Sequence, residues 1–109
     1  MDGKTPHGLA LAIDGGHRAR VIQGHRELWD YLERHPNVPT PNVLSGAHEH
    51  LVLRNGDTAM IAAVDCIAGE LGVTSQWRDG RYTATRVFGG TAIYSAVAFL
   101  HAAPAQVAA

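Results

Sequence analysis

The chain has 109 residues, of which 46% are hydrophobic and 17% charged, with a formal net charge of -1 and one cysteine. A chain this short holds one core, is too apolar to be disordered by composition, and lacks the broad basic field that non-specific nucleic-acid binding needs. Its lone Cys66 excludes an intramolecular disulfide and a paired-cysteine metal site.

Residues 1–8 are polar and carry Gly3, Pro6 and Gly8, the composition of a mobile leader. The apolar run Leu9 to Ile13 is too short for a signal-peptide core, and nothing approaches the ~20 apolar residues of a membrane span. A cytoplasmic protein is the expectation. Leu9 to Ile13 and His17 to Ile22 read as two short strands joined at Asp14-Gly15-Gly16, where glycines supply positive φ. The alternative is that Arg18 to Gln23 already begins the next helix.

From His25 to His35, Leu28, Trp29, Tyr31 and Leu32 recur at helical spacing, with Glu27 in the first turn and Arg34 and His35 in the last. Pro36 stops this short helix. Pro36-Asn37-Val38-Pro39-Thr40-Pro41 then reads as an extended connector. Its P-x-x-P spacing also occurs in peptide ligands, but a segment joining two structured elements fits a stiff linker better.

Residues 47 to 53 alternate, Glu49, Leu51 and Leu53 against His48, His50 and Val52, as a strand does. Asn55-Gly56-Asp57 breaks it, with Asp57 placed to cap a helix from Thr58 to Leu71 that Gly72 closes. Met60, Ile61, Val64, Ile67, Ala68 and Leu71 form its apolar stripe, and Ala59, Ala62, Ala63 and Cys66 a small-residue flank, so burial on more than one side is expected.

The last third reads as a meander: Val73 to Arg78, Arg81 to Phe88 and Thr91 to Phe99, joined by Asp79-Gly80 and Gly89-Gly90. Two-residue turns would pair Trp77 with Tyr82 and put Val73, Trp77, Tyr82, Ala84, Phe88, Ile93, Val97 and Phe99 on the core face. Thr74, Gln76, Arg78, Arg81, Thr83, Thr85 and Tyr94 then share the other face. Residues 102–109 read as a fraying tail.

Several segments carry a resemblance: Tyr31-Leu32-Glu33-Arg34-His35-Pro36 after Leu28, Val38-Pro39-Thr40-Pro41, Ala68-Gly69-Glu70-Leu71-Gly72 and Arg86-Val87-Phe88-Gly89-Gly90. On these the chain, from residue 28 to about residue 98, resembles a group of small uncharacterised proteins of actinobacteria and their phages. The resemblance implies an actinobacterial or mobile-element origin and assigns no activity or site residue.

Few residues invite chemistry. His48-Glu49-His50 has the H-x-H spacing that points two imidazoles to one face of a strand, but further ligands are missing nearby in sequence, so no metal is expected. Cys66 sits among alanines and reads as a small packed side chain rather than a nucleophile. The glycine pairs match no phosphate-loop pattern. Arg86, between Ala84 and Phe88, must find a partner or bind something.

The expected fold is a two-layer α+β domain: an antiparallel meander plus one further strand, packed on the 58–71 helix, with a short N-terminal helix. With no convincing acid/base or metal constellation, the leading expectation is a non-enzymatic protein-interaction or regulatory accessory module without a cofactor. With Glu49, Leu51 and Leu53 facing inward, His48, His50, Arg78, Arg81 and Tyr94 would form a cationic sheet face for an acidic protein surface or another anion, and a homo-oligomer is compatible with it. The alternative is a small cofactor-free enzyme of isomerase or cyclase type, using His48, His50 or Arg86 in a pocket between sheet and helix. Nucleic-acid binding through Arg78 and Arg81 ranks third.

Overall fold

A computed structural model of the chain describes the backbone over residues 9–105 and side chains over 16–44 and 46–105. The leader and the end of the tail lie outside the described residues. The order of elements is α1 (Leu9–Arg34), β1 (Val43–Ser45), β2 (Ala47–Leu51), α2 (Asp57–Leu71), β3 (Gln76–Arg78), β4 (Arg81–Phe88) and β5 (Ala92–Phe99). The strands form one sheet in the order β1-β2-β5-β4-β3. The domain is therefore α+β, with strands packed on helix. The sheet is mixed, because β2 runs parallel to β5 and all other pairs are antiparallel.

The helix read over His25–His35 is present as the end of the longer α1. The hairpin read over residues 9–22 is not formed; the backbone there is helical, in line with the alternative that Arg18 to Gln23 begins the helix, and from Arg20 on it is held by the row at four-residue spacing Arg20, Gly24, Leu28, Leu32. Leu28 and Leu32 are buried in the core, Gly24 lies against the β4–β5 turn, and the Arg20 carbonyl accepts a hydrogen bond from Thr91 Oγ1 at 2.9 Å. A Cβ on Gly24 would stand 2.0 Å from Thr91 Oγ1 and 2.7 Å from the Phe88 carbonyl oxygen. Docking onto the sheet thus overrides the helix cost of Gly15 and Gly16, about 1 kcal/mol each.

Helix α2 buries Met60, Val64, Ile67, Ala68 and Leu71, as its stripe foretells. Burial on a second side does not occur: Ala59, Ala62 and Cys66 are exposed. Gly72 ends the helix in the left-handed region, φ 71, with the Val73 amide donating to the Ala68 carbonyl and the Gly72 amide to that of Gly69. Asp57 does not cap α2. It is the first helical residue, and its carboxylate instead accepts from the backbone amides of His101 and Ala102 at 2.8 and 3.0 Å and pairs with the His101 ring. The chain after β5 is tied down there rather than frayed from residue 102.

The Asp79-Gly80 turn closes β3 on β4 with positive φ at both residues and pairs Arg78 with Arg81 and Trp77 with Tyr82, as expected. The β4–β5 turn departs from the reading. Phe88 pairs with Ala92, so the connection is Gly89-Gly90-Thr91, with the Thr91 amide donating to the Phe88 carbonyl. One extra residue inverts the faces of β5. Ala92, Tyr94, Ala96 and Ala98 face the helices with Tyr82, Ala84, Arg86 and Phe88, whereas Ile93, Ser95, Val97 and Phe99 face the other way.

Both helices lie on one face of the sheet. Leu28 and Leu32 of α1 join Val64 and Leu71 of α2, Val52, Phe88 and Tyr94 in one cluster, each full burial of such a side chain stabilising by roughly 1.5–3 kcal/mol. Tyr31 ties the helices together by donating to the Glu70 carbonyl at 2.6 Å. Tyr94, fully buried, donates to the Pro39 carbonyl at 2.7 Å, and Val38 is buried, so the proline-rich connector is part of the packing. Burial also pushes the Tyr94 phenol far above its ordinary pKa. Among the described residues no element covers the second face of the sheet.

Candidate functional site on the open sheet face

The open face is built from the outward residues of five strands. Val43, Glu49, Leu51, Ile93, Ser95, Val97, Phe99, Val87, Thr85, Thr83, Arg81, Gln76 and Arg78 fall on it by register. Its centre is sealed: Val97 is 1% exposed yet stands apart from the main core cluster, and Thr85 Oγ1 and Ser95 Oγ share a hydrogen bond at 2.8 Å. Arg81 on β4 reaches across β5 to Glu49 on β2, 3.5 Å away, and passes over the Phe99 ring at 5.9 Å. Beside this strap Phe99 is 57% exposed, and Val87, at the other end of β4 opposite Ile93, is 50% exposed. A large aromatic side chain displayed next to arginines has the composition of an interface, where arginine and aromatics dominate the energetics.

The structure divides the residues read as one site. Arg78 and Arg81 are cross-strand partners on the open face, side by side with Gln76 and Thr83 around a shallow cleft of ≈ 290 Å³ that Asp79 also lines. Like charges directly opposite repel. Glu49 compensates Arg81, while Arg78 has no carboxylate within ion-pair distance among the described residues.

His48, His50 and Tyr94 stay together, with His48 beside Tyr94 and His50 beside Ala96, but they lie on the opposite, helix-facing side. The one-residue difference at the Gly89-Gly90-Thr91 turn separates them from the arginines. His48 packs edge-on against His25 of α1, ring centroids 4.9 Å apart, and against Trp29 at 5.4 Å. The Nδ1 atoms of His48 and His50 are enclosed without a hydrogen-bond partner among the described residues. Burial, and then the His25 ring, holds His48 below the usual imidazole pKa. Burial does the same to His50, with Arg54 assisting and the Thr40 carbonyl opposing. No group of three or more potential metal ligands occurs among the described residues.

Arg86 resolves as a structural residue. It donates to the Leu71 carbonyl at the end of α2, 2.9 Å away, and stacks on Tyr31 and Phe88 at 4.6 and 5.0 Å. A cation at a helix C-terminus and over aromatic rings is doubly favourable. His48, His50 and Arg86 therefore do not converge on one pocket; the space between sheet and helices is occupied by the core cluster.

Sequence reasoning missed Phe99 and Val87 as surface residues. It placed Phe99 in the core through the β5 slip and left Val87 unassigned, although alternation from Arg81 through Thr83 and Thr85 to Val87 carried the signal. Among the described residues no helix is long and apolar enough to cross a membrane. Comparison with known proteins gives no match, neither to a family model nor to a curated protein nor to a solved structure.

Proposed function

We propose that this chain is a non-enzymatic protein-interaction module whose open sheet face docks an acidic surface of a partner protein. The observation that carries the reading is the display of Phe99 beside Arg81 and its neighbour Arg78 on a face that no described element covers, with Val87 exposed at the other end of the same face. Apolar side chains there supply desolvation on binding, and the arginines supply orientation and partner choice, since opposite charge steers encounter and like charge repels wrong partners. A partner carboxylate near Arg78 would relieve the repulsion between the two cross-strand arginines. The resemblance to small actinobacterial and phage proteins fits an accessory role of mobile-element origin, inside the cell.

The test is paired affinity capture from host lysate, with the wild-type chain and the Arg78→Glu/Arg81→Glu variant as baits at matched load, after circular dichroism confirms the variant's fold. A partner with an acidic surface that the wild type retains and the folded variant loses supports the reading. Equal recovery by both baits removes the arginine end of this face as the docking site.

A further inference from the structure

A second concavity lies away from the open face, where α2 meets the start of β4 and the chain beyond β5. Ile61, Ala62, Asp65, Tyr82, Pro104 and Ala105 line a groove of ≈ 530 Å³. This is within the range of small-molecule sites, about 300–1,000 Å³. Ile61, Ala62 and Asp65 share one side of α2 by their three- and four-residue spacing. The opposite wall is held in place, since Asp57 fixes the backbone amides of His101 and Ala102 just ahead of Pro104.

The charged group of the groove is one anchored carboxylate, that of Asp65, and Thr58 and Tyr82 add hydroxyls to the lining. Tyr82 Oη and Ser75 Oγ both donate to Asp65 Oδ1, at 2.6 and 2.7 Å. The second oxygen, Oδ2, accepts no hydrogen bond among the described residues. Two donors on one oxygen fix the carboxylate plane and leave the other oxygen for a ligand. Burial, reinforced by the bond to Asp65, keeps the Tyr82 phenol protonated beyond its ordinary range, so it stays a donor at neutral pH. The walls offer apolar surface from Ile61, Ala62, Pro104 and the Tyr82 ring.

We propose that this groove binds a small molecule with an apolar body and one ammonium group, the ammonium meeting Asp65 Oδ2 and the body lying against Ile61, Ala62 and Tyr82. Asp65 is exposed, so its second oxygen meets water in the free chain, and an ammonium would replace that water with a charge-assisted hydrogen bond. A second anion would be repelled, and a neutral body of the same shape would gain only the apolar contact. The proposal is independent of the open face, because none of the groove residues named lies on it.

Amide-resolved NMR of the full chain, titrated with phenethylammonium and separately with its neutral counterpart phenethyl alcohol, tests this. The expected result is saturable shifts at Ile61, Ala62, Asp65 and Ala105 with the ammonium, and binding of the alcohol weaker by about two- to five-fold. Asp65→Asn, which keeps the side-chain shape and an acceptor for Tyr82 and Ser75, is expected to bring the ammonium down to the alcohol's level. Absence of saturable shifts at these amides, equal binding of the two probes, or undiminished preference in Asp65→Asn would overturn the proposal.

Discussion

Arg81 and Glu49 stand on strands that do not touch each other, yet their side chains meet at 3.5 Å across the intervening strand β5. The pair roofs the middle of a face that no other described element covers, which accounts for Val97 being buried there while Phe99 is open. Both members are partly exposed, so the bond is screened, and exposed pairs contribute about 0.2–1 kcal/mol. A double-mutant cycle of Arg81→Ala and Glu49→Ala by urea unfolding is expected to give a coupling within that range. A coupling of several kcal/mol would mean that the pair is more deeply enclosed than its exposure shows.

The crossing of α1 over the β4–β5 turn rests on two glycines in backbone contact. A Cβ on Gly89 would lie 2.8 Å from Gly24 Cα, and one on Gly24 would lie 2.7 Å from the Phe88 carbonyl oxygen. Backbone cannot yield as a flexible side chain does. Gly24→Ala is expected to destabilise by about 2 kcal/mol or more, toward the upper part of the overpacking range, seen as a lower urea midpoint. Gly24→Ala/Thr91→Ala should recover only part of this, because the carbonyl contact remains. A Gly24→Ala protein as stable as the wild type would place α1 elsewhere.

Two histidines and one aspartate contribute to the acid limb of stability. The folded imidazoles of His48 and His50 sit below their ordinary value of 6.5. A lowered folded pKa means that the fold favours the neutral ring. Stability is therefore full above the unfolded value, declines as pH falls below it, and levels off beneath the folded value. Asp57 is lowered chiefly by its bond to His101, with the two backbone amides adding to it. Its contribution is present above the ordinary carboxylate value and is lost as pH falls through the lowered folded one. Chemical denaturation across pH should show two separate declines on acidification. His48→Phe should shrink the first and leave the second. A flat profile between about pH 7.5 and 5 would contradict the enclosed imidazoles.

Cys66 is exposed on α2, not packed among the alanines as its neighbours in sequence suggested. Cys66→Ala should therefore change stability by no more than about 0.5 kcal/mol. The native thiol should react with a disulfide reagent without denaturant. Protection of the thiol until unfolding would mean that this side of α2 is covered.

Much of the fold was legible where local chemistry and the tertiary outcome agree. The α2 stripe, the glycine after Leu71 and the Asp79-Gly80 turn each act within a few residues, and each is found. Three features depend on distant partners and were not legible. Glycines 15 and 16 signal a turn, and only the surface beneath Gly24, Leu28 and Leu32 turns that stretch into helix. Gly89-Gly90 fits a two-residue turn, but Thr91 joins it because its hydroxyl is engaged with α1. The parallel pairing of β2 with β5 has no local signal at all. The site inherited these differences. The sequence places Arg78 and Arg81 on the face away from the 58–71 helix, where they lie, and groups His48 and His50 with Tyr94, beside which they lie, but one residue of register puts the two groups on opposite sides.

The most direct measurement on the open sheet face is side-chain footprinting of the captured complex by hydroxyl-radical labelling and mass spectrometry, comparing free and bound chain. Phe99 and Val87 are expected to lose labelling on binding, while Trp29 and Cys66, exposed on the helices, keep theirs. Undiminished labelling of Phe99 and Val87 in the complex, with protection at Trp29 or Cys66 instead, would contradict it.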